Sequence, residues 1–285
     1  MRKEFILIII FLFVAGCTNI QNPFNQQQKV VLGKGIGLTI LNAPEEIFPD
    51  EEFSLNLGLI NYLDNSISGE IRIVDDYYII DKIESFFIDA AILDKKIIPA
   101  KIPEEGEDGI EINGLIYTSD VINQKGIRNK DKIGLNILLD YDVYIDAEGS
   151  LDTASKGYTL SGSSFGVIAS TAPVEIERVV YSRERDITKL TIKFRNVGNG
   201  RITSRDNEIN IKSVSSEGTE YKCNKNKIKV EEREESSITC NAALDEGKHQ
   251  LRISYSFPYE IGLGIEVPIE LRSKVYKAVK HLFFY

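Results

Sequence analysis

Ile133-Gly134-Leu135-Asn136-Ile137-Leu138-Leu139-Asp140-Tyr141-Asp142-Val143-Tyr144-Ile145 alternates without a slip. Ile133, Leu135, Ile137, Leu139, Tyr141, Val143 and Ile145 fall on one side, with Asn136, Asp140, Asp142 and Tyr144 on the other. A sustained period of two belongs to a β-strand with one dry and one wet face; a helix would scatter the same residues around its axis. The stretch therefore reads as one long strand, half-buried, in an antiparallel sheet.

The same pattern extends outward in both directions. Towards the N-terminus, Ile36, Leu38 and Ile40 alternate, as do Phe53, Leu55, Leu57 and Leu59 after the turn residues Pro49-Asp50-Glu51-Glu52. Asn61-Tyr62-Leu63-Asp64-Asn65 reads as a turn, and Ile71 and Ile73 resume the alternation after Gly69. Tyr77 to Leu93 fits both periods; with β neighbours on either side, it reads as a turn around Asp81 followed by a strand. Pro99 to Lys132 is irregular apart from a weak strand at Ile110 to Tyr117.

Towards the C-terminus, a Gly/Ser-rich stretch from Gly157 to Gly166 leads to Ala172-Pro173, a natural boundary. Beyond it Ile176 with Val179-Val180, then Leu190, Ile192 and Phe194, mark strands. Asn196-Val197-Gly198-Asn199-Gly200 marks a turn, and Ile209/Ile211, Ile228/Val230 and Ile238/Cys240 mark short strands. Leu251 to Phe257 and Leu263 to Leu271 read as a closing antiparallel pair turned at Pro258-Tyr259-Glu260. Phe53 to Val74 laid beside Lys189 to Ile211 shows one order twice: alternating strand, Asn-rich turn, Gly, second strand.

These features resemble the immunoglobulin-like sandwiches of the CARDB and archaeal surface-layer-associated kind, over about residues 35–272. The buried Trp of true immunoglobulin domains is missing, because the chain has no Trp. The resemblance implies an all-β fold of two tandem β-sandwich domains, 35–171 and 172–272, with adhesive, spacer or envelope roles and no catalysis.

The N-terminus sets the expected compartment. Arg2 and Lys3 precede an apolar run, Phe5 to Ala15, which ends in Val14-Ala15-Gly16-Cys17. A basic start, a short apolar stretch and a small-residue junction form a secretory signal. The run is too short for a transmembrane helix, which needs ~20 apolar residues. The order of residues resembles the lipobox of prokaryotic lipoproteins. That resemblance implies a signal peptide over 1–16, cleavage before Cys17, and lipid on its thiol and new amino group. Residues 17–34 would then hold the lipidated cysteine and a polar spacer, and the protein would sit on the extracytoplasmic face of the cell membrane.

Charge and cysteines agree with that placement. The chain carries 34 Lys and Arg against 43 Asp and Glu, a net charge of −9, with no basic stripe, so nucleic acid is not an expected partner. Cys223 and Cys240 remain after Cys17; in an exported chain such a pair reads most simply as a disulfide, the alternative being two buried thiols. The tail 273–285 carries Lys274, Lys277 and Lys280 with Val275, Val279, Leu282 and Phe283 at helical spacing. An amphipathic basic tail on an acidic protein suits a membrane surface or a partner's groove, and it equally suits docking on its own second domain or a frayed end.

Motifs for chemistry are few. Gly162-Ser163-Ser164-Phe165-Gly166 spells G-x-S-x-G, yet the strand-turn-helix context is absent and the chain has only His249 and His281. Glu104-Glu105-Gly106-Glu107-Asp108 lacks the regular spacing of a calcium loop and reads as a solvated charge run. Glu231 to Glu235 reads as a charged hairpin turn, and Gly33, Gly35 and Gly37 as a flexible lead into the first strand rather than a phosphate cradle. Tyr77 and Tyr78, with nearby aromatics such as Tyr117, suit a sugar-binding face, although paired aromatics in β proteins are usually core or cross-strand contacts. The expectation is a lipid-anchored envelope protein, non-catalytic and without a cofactor or metal, that engages an unknown cell-surface protein. The alternative is a carbohydrate- or calcium-binding surface module working through Pro99 to Lys132.

Overall fold

The computed structural model describes residues 34–63, 65–88, 110–153, 158–161, 171–184, 187–230 and 236–271. The fold is all-β. Its strands are β1 (Ile36–Asn42), β2 (Glu52–Asn61), β3 (Ile67–Asp75), β4 (Asp81–Ile88), β5 (Ile110–Leu115), β6 (Lys132–Asp152) and β7 (Tyr158–Ser161), followed by β8 (Val174–Glu184), β9 (Ile187–Asn196), β10 (Arg201–Ile202) and β11 (Glu208–Ser216). The short pieces β12 (Thr219–Glu220), β13 (Lys222–Cys223) and β14 (Lys227–Lys229) come next, then β15 (Ser236–Ala242) and β16 (Lys248–Pro268). One helical turn and a half, α1 (Ser119–Gln124), interrupts them; Thr118 caps it by accepting from Val121 N at 3.5 Å. In the sequence this stretch is irregular, since six residues are too few to show a helical period.

Two strands organise the molecule. β6 and β16 are each 21 residues long and pair antiparallel without a register shift from Lys132↔Pro268 to Asp152↔Lys248. At ~3.3 Å per residue this ladder runs about 70 Å. The alternation that begins at Ile133 continues past Ile145 through Ala147, Gly149 and Leu151, and its whole odd-numbered side is buried. From β16, Leu251, Ile253, Tyr255, Phe257, Tyr259, Ile261, Leu263 and Val267 join the same dry face.

β16 corrects the expected hairpin. Pro258-Tyr259-Glu260 is mid-strand, not a turn. A proline is tolerated there because β11 flanks β16 only up to Ser256 and β10 begins only at Tyr259. Thr203 N donates to Pro258 O at 3.1 Å, so the backbone of Pro258 faces that outer side, where its missing N–H falls in the gap between the two flanking strands.

Around this ladder lies an eight-stranded sheet, β12-β11-β16-β6-β3-β4, with β10 and β14 attached to β16 and β11. A three-stranded sheet, β1-β2-β5, covers one end of its dry face, and a five-stranded sheet, β13-β15-β9-β8-β7, covers the other. The covering sheets share a plan: β2 lies between β1 and β5, as β9 lies between β8 and β15. Cross-layer contacts include Ile36 N to Tyr141 Oη at 3.3 Å in the first half and Tyr255 Oη donating to Val174 O at 2.8 Å in the second. Rings of Phe194 and Tyr255 meet edge-to-face at 5.2 Å.

The two turns also share a hydrogen-bond plan. Asn61 Nδ2 donates to Asn65 O at 2.8 Å and its Oδ1 accepts from Leu63 N at 3.0 Å; Asn196 repeats both bonds with Gly200 O at 3.1 Å and Gly198 N at 3.2 Å. The glycines after these turns are required by close approach. A Cβ on Gly69 would lie 2.1 Å from Asp140 O, and one on Gly200 would lie 2.0 Å from Glu260 O.

The halves meet at a waist around Tyr141 and Tyr259, opposite residues of the ladder whose rings are 5.9 Å apart. Gly35 N donates to Thr171 O at 2.8 Å, and Pro173 O accepts from Val197 N and Gly198 N. The expected boundary at Ala172-Pro173 thus lies at the waist, while the long sheet runs through it: the part of β6 after Asp142 serves the second half and the part of β16 after Tyr259 serves the first. Gly35 is more than a flexible lead: its φ is +91° and an added Cβ would meet Tyr141 Oη at 2.5 Å. The Gly/Ser-rich stretch contains a strand, β7, paired with β8.

Candidate functional site

Even-numbered residues of β6 and β16 form the open face of the long sheet, and at the waist they assemble a charged cluster. Arg72 of β3 donates from Nη2 to Asp140 Oδ2 at 2.7 Å and to Glu260 Oε2 at 3.1 Å. Arg201 donates from Nε to Glu260 Oε1 at 2.7 Å. The Glu260 side chain is only 7% exposed, so one carboxylate lies under two guanidinium groups. A buried carboxylate needs that compensation. The cluster ties β3, β6, β10 and β16 together across the waist, and its charges are spent on one another.

Further along β6 and β16, in the second half, is a cleft of about 340 Å³ lined by Asn65, Tyr144, Ile145, Asp146, Lys212, Ser254 and Tyr255. Lys212 owes its place to a bulge in β11 between Ile211 and Ser213; bulges re-aim single side chains in this way. Ser254 Oγ donates to Asp146, and Arg252 Nη2 lies 2.7 Å from Glu148 Oε1. Tyr144 is 59% exposed. An exposed aromatic among an amide, a carboxylate and an ammonium suits contact with a polar partner.

Below the waist, on the covering sheets, Glu175 accepts from Lys34 Nζ and from Arg195 Nη2, the latter at 2.9 Å. Burial raises its carboxyl pKa, but the two cations outweigh that and hold it below the usual value. This joins Lys34, just before β1, to the second half.

Cys223 and Cys240 stand opposite each other on β13 and β15, with sulfurs 2.06 Å apart. His249 lies at the far end of the second half, Nε2 at 2.9 Å from Asp245 O and Nδ1 at 3.4 Å from Glu217 Oε2. Both ring nitrogens thus meet oxygen acceptors rather than a hydroxyl nucleophile. Tyr77 packs against the core, whereas Tyr78 and Tyr117 are exposed on neighbouring segments joined by a Tyr117 N to Ile79 O bond at 3.3 Å. Among the described residues, no three His, Cys, Asp or Glu side chains are grouped to hold a metal ion. Cys17, Lys274, Lys277, Lys280, Leu282, Phe283, His281, the acidic loop Glu104 to Asp108, the Gly162 to Gly166 stretch and the run Glu231 to Glu235 lie outside the described residues.

Sequence reading missed the waist cluster. Asp140 and Asp142 were legible as the wet side of a strand, but Glu260 sat in a supposed turn, so its partnership with Arg72, |i−j| = 188, had no signal. The uninterrupted odd-numbered alternation from Leu251 to Val267 was the clue available. No protein-family model and no curated protein matches this chain.

Proposed function

We propose that this chain is a lipid-anchored, extracytoplasmic envelope protein with a non-catalytic structural or protein-interaction role. The observation that carries the reading is Val14-Ala15-Gly16-Cys17 at the end of a short apolar run behind Arg2 and Lys3. Two further features support it. The Cys223–Cys240 pair at bonding distance suits an oxidising compartment. The described residues begin at the waist, with Lys34 and Gly35, so the described residue nearest Cys17 in sequence lies at the middle of the long sheet rather than at either end.

The test is a Cys17→Ser variant followed by fractionation and labelling with a radioactive fatty acid. The expected result is loss of label and release from the membrane pellet; a variant that stays in the pellet and keeps its label overturns the anchor. A second reading, carbohydrate binding by the first half, is favoured by the exposed Tyr78 and Tyr117 on adjoining segments. It predicts glycan-array binding that disappears in a Tyr78→Ala/Tyr117→Ala double variant.

A further inference from the structure

We propose that the outer edge of β6 beyond Tyr141 is a strand-addition site, and that its occupant is segment 273–285 of a second copy of this chain. β3 flanks β6 only from Asp75↔Leu135 to Gly69↔Tyr141, whereas β16 flanks its other side as far as Asp152. From Asp142 to Leu151 the side of β6 away from β16 has no ladder partner among the described residues. The direction of its backbone groups follows from the ladder. Pro258 directs its carbonyl outward to Thr203, so even-numbered residues of β16 face away from β6. Pro258 pairs with Asp142, so the even-numbered residues of β6 face away from β16 in turn. Tyr144, Asp146 and Glu148 therefore offer a row of N–H and C=O groups without a ladder partner among the described residues, which is what an added strand needs.

Side chains choose the occupant. The same edge carries Asp142, Asp146 and Glu148 on the open face, with Arg252 as counter-charge, 2.7 Å from Glu148 and 3.8 Å from Asp146. Two such acidic edges repel, so pairing β6 to β6 is disfavoured and a basic strand is favoured. Segment 273–285 has no acidic side chain; laid as a strand it puts Lys274 and Lys280 on one face with Tyr276, and Val275, Val279, Phe283 and Tyr285 with Lys277 on the other, a composition that strands favour. A lysine laid along the edge would also pass Tyr144, whose exposed ring attracts cations.

Length decides between the same chain and another. Leu271 is fixed at the far end of the first half, where its N–H donates to Asn129 Oδ1 at 2.8 Å. From that end, at the Lys132↔Pro268 pair, the edge at Tyr144 is about 40 Å away along β6 at ~3.3 Å per residue. Segment 272–285, fully stretched at ~3.3–3.6 Å per residue, spans at most about 50 Å. Only its last few residues could reach the edge in cis, too few for a ladder. A second copy has no such limit.

The experiment compares sedimentation of the full-length chain, a chain ending at Arg272, and a full-length Asp142→Lys/Glu148→Lys variant, over a range of protein and salt concentrations. Both changed edge residues are exposed, so the variant is expected to stay folded, with a melting point lowered only by loss of the Arg252–Glu148 pair, and its melting curve is recorded beside the parent's. The expected result is self-association in the parent that weakens with salt and is reduced at least tenfold in each of the other two. A synthetic 273–285 peptide should bind the truncated chain and not its Asp142→Lys/Glu148→Lys counterpart. Three results overturn the proposal: a monomeric parent with no peptide binding, association that survives removal of the tail, or association that needs the tail and ignores the edge charges. The last would mean that the tail docks elsewhere, as an amphipathic helix could. The outcome does not depend on the anchor at Cys17.

Discussion

The two halves build one plan by different means. In the first, the open-face sheet is finished by β4, paired with β3 over Ile67↔Ile88 to Val74↔Asp81 and without a cysteine. In the second, the place beside β11 holds only β12 and β14, of two and three residues, while the chain crosses between sheets to form β13 and β15. In the covering sheet, the Cys223–Cys240 bond joins β13, which follows β12 and precedes β14 in the chain, to β15. An eight-residue ladder holds itself through many weak bonds; fragments this short do not, and a covalent link supplies the constraint instead. The lesson is that a sandwich edge can be secured by pairing or by cross-linking.

The shared ladder predicts that this contrast stops at the edges. Tyr259 is fully buried opposite Tyr141, and its hydroxyl donates to Asn196 Oδ1 at 3.0 Å. Tyr259→Ala should cost about 3–5 kcal/mol, as large buried truncations do, and should lower the melting of both halves as one transition in calorimetry. Two separate transitions with only one displaced would mean that the halves are independent despite the ladder.

Next in size is the cross-link. The bridged cysteines are 17 residues apart, and closing such a loop is worth about 3 kcal/mol in the chain-entropy account. Cys223→Ala/Cys240→Ala should lower the urea midpoint, with the loss of hydrogen-exchange protection concentrated in β13 to β15. Uniform loss across β1 to β4 would erase the distinction between the halves.

The matched turns sharpen the comparison further. Asn61→Ala and Asn196→Ala each remove two turn bonds, at about 0.5–1.5 kcal/mol per bond. Asn196 also receives the Tyr259 hydroxyl, so Asn196→Ala should cost less in denaturant titration when made in a Tyr259→Phe background than in the parent. Equal effects would show that the tyrosine bond is inert.

The smallest effect is acidic. Burial raises the pKa of Glu175, and Lys34 with Arg195 lower it further than burial raises it, so its folded value lies below its unfolded one. Its contribution is therefore present above the unfolded glutamate value, about 4.3, and is lost as pH falls through the folded value. Glu175→Gln should flatten the acid limb of a stability-pH curve. An unchanged limb would remove this link between Lys34 and the second half.

Much of the fold was legible because strand alternation is a local property. The run from Ile133 to Ile145 shows its dry face residue by residue, and Asn61 and Asn196 mark their turns through side-chain chemistry that acts within four residues. Pro258 misled because its meaning is not local. In a strand flanked along its whole outer side it would leave a neighbour's carbonyl unpaired, yet here two flanking strands stop on either side of it. Glu260 went unread for the same reason, since a carboxylate in a supposed turn gives no hint of two arginines arriving from β3 and β10.

By itself, then, the sequence determined the all-β character, the wet and dry sides of the longest strand, and the two cysteines available to pair. Tertiary structure decided that β16 runs on through its proline, that β6 and β16 serve both halves, and which side of β6 beyond Tyr141 lacks a ladder partner among the described residues. The reason is range: a side chain's direction along a strand depends on its immediate neighbours, whereas a strand's partner, and the fate of the charges between partners, depends on residues more than a hundred positions away.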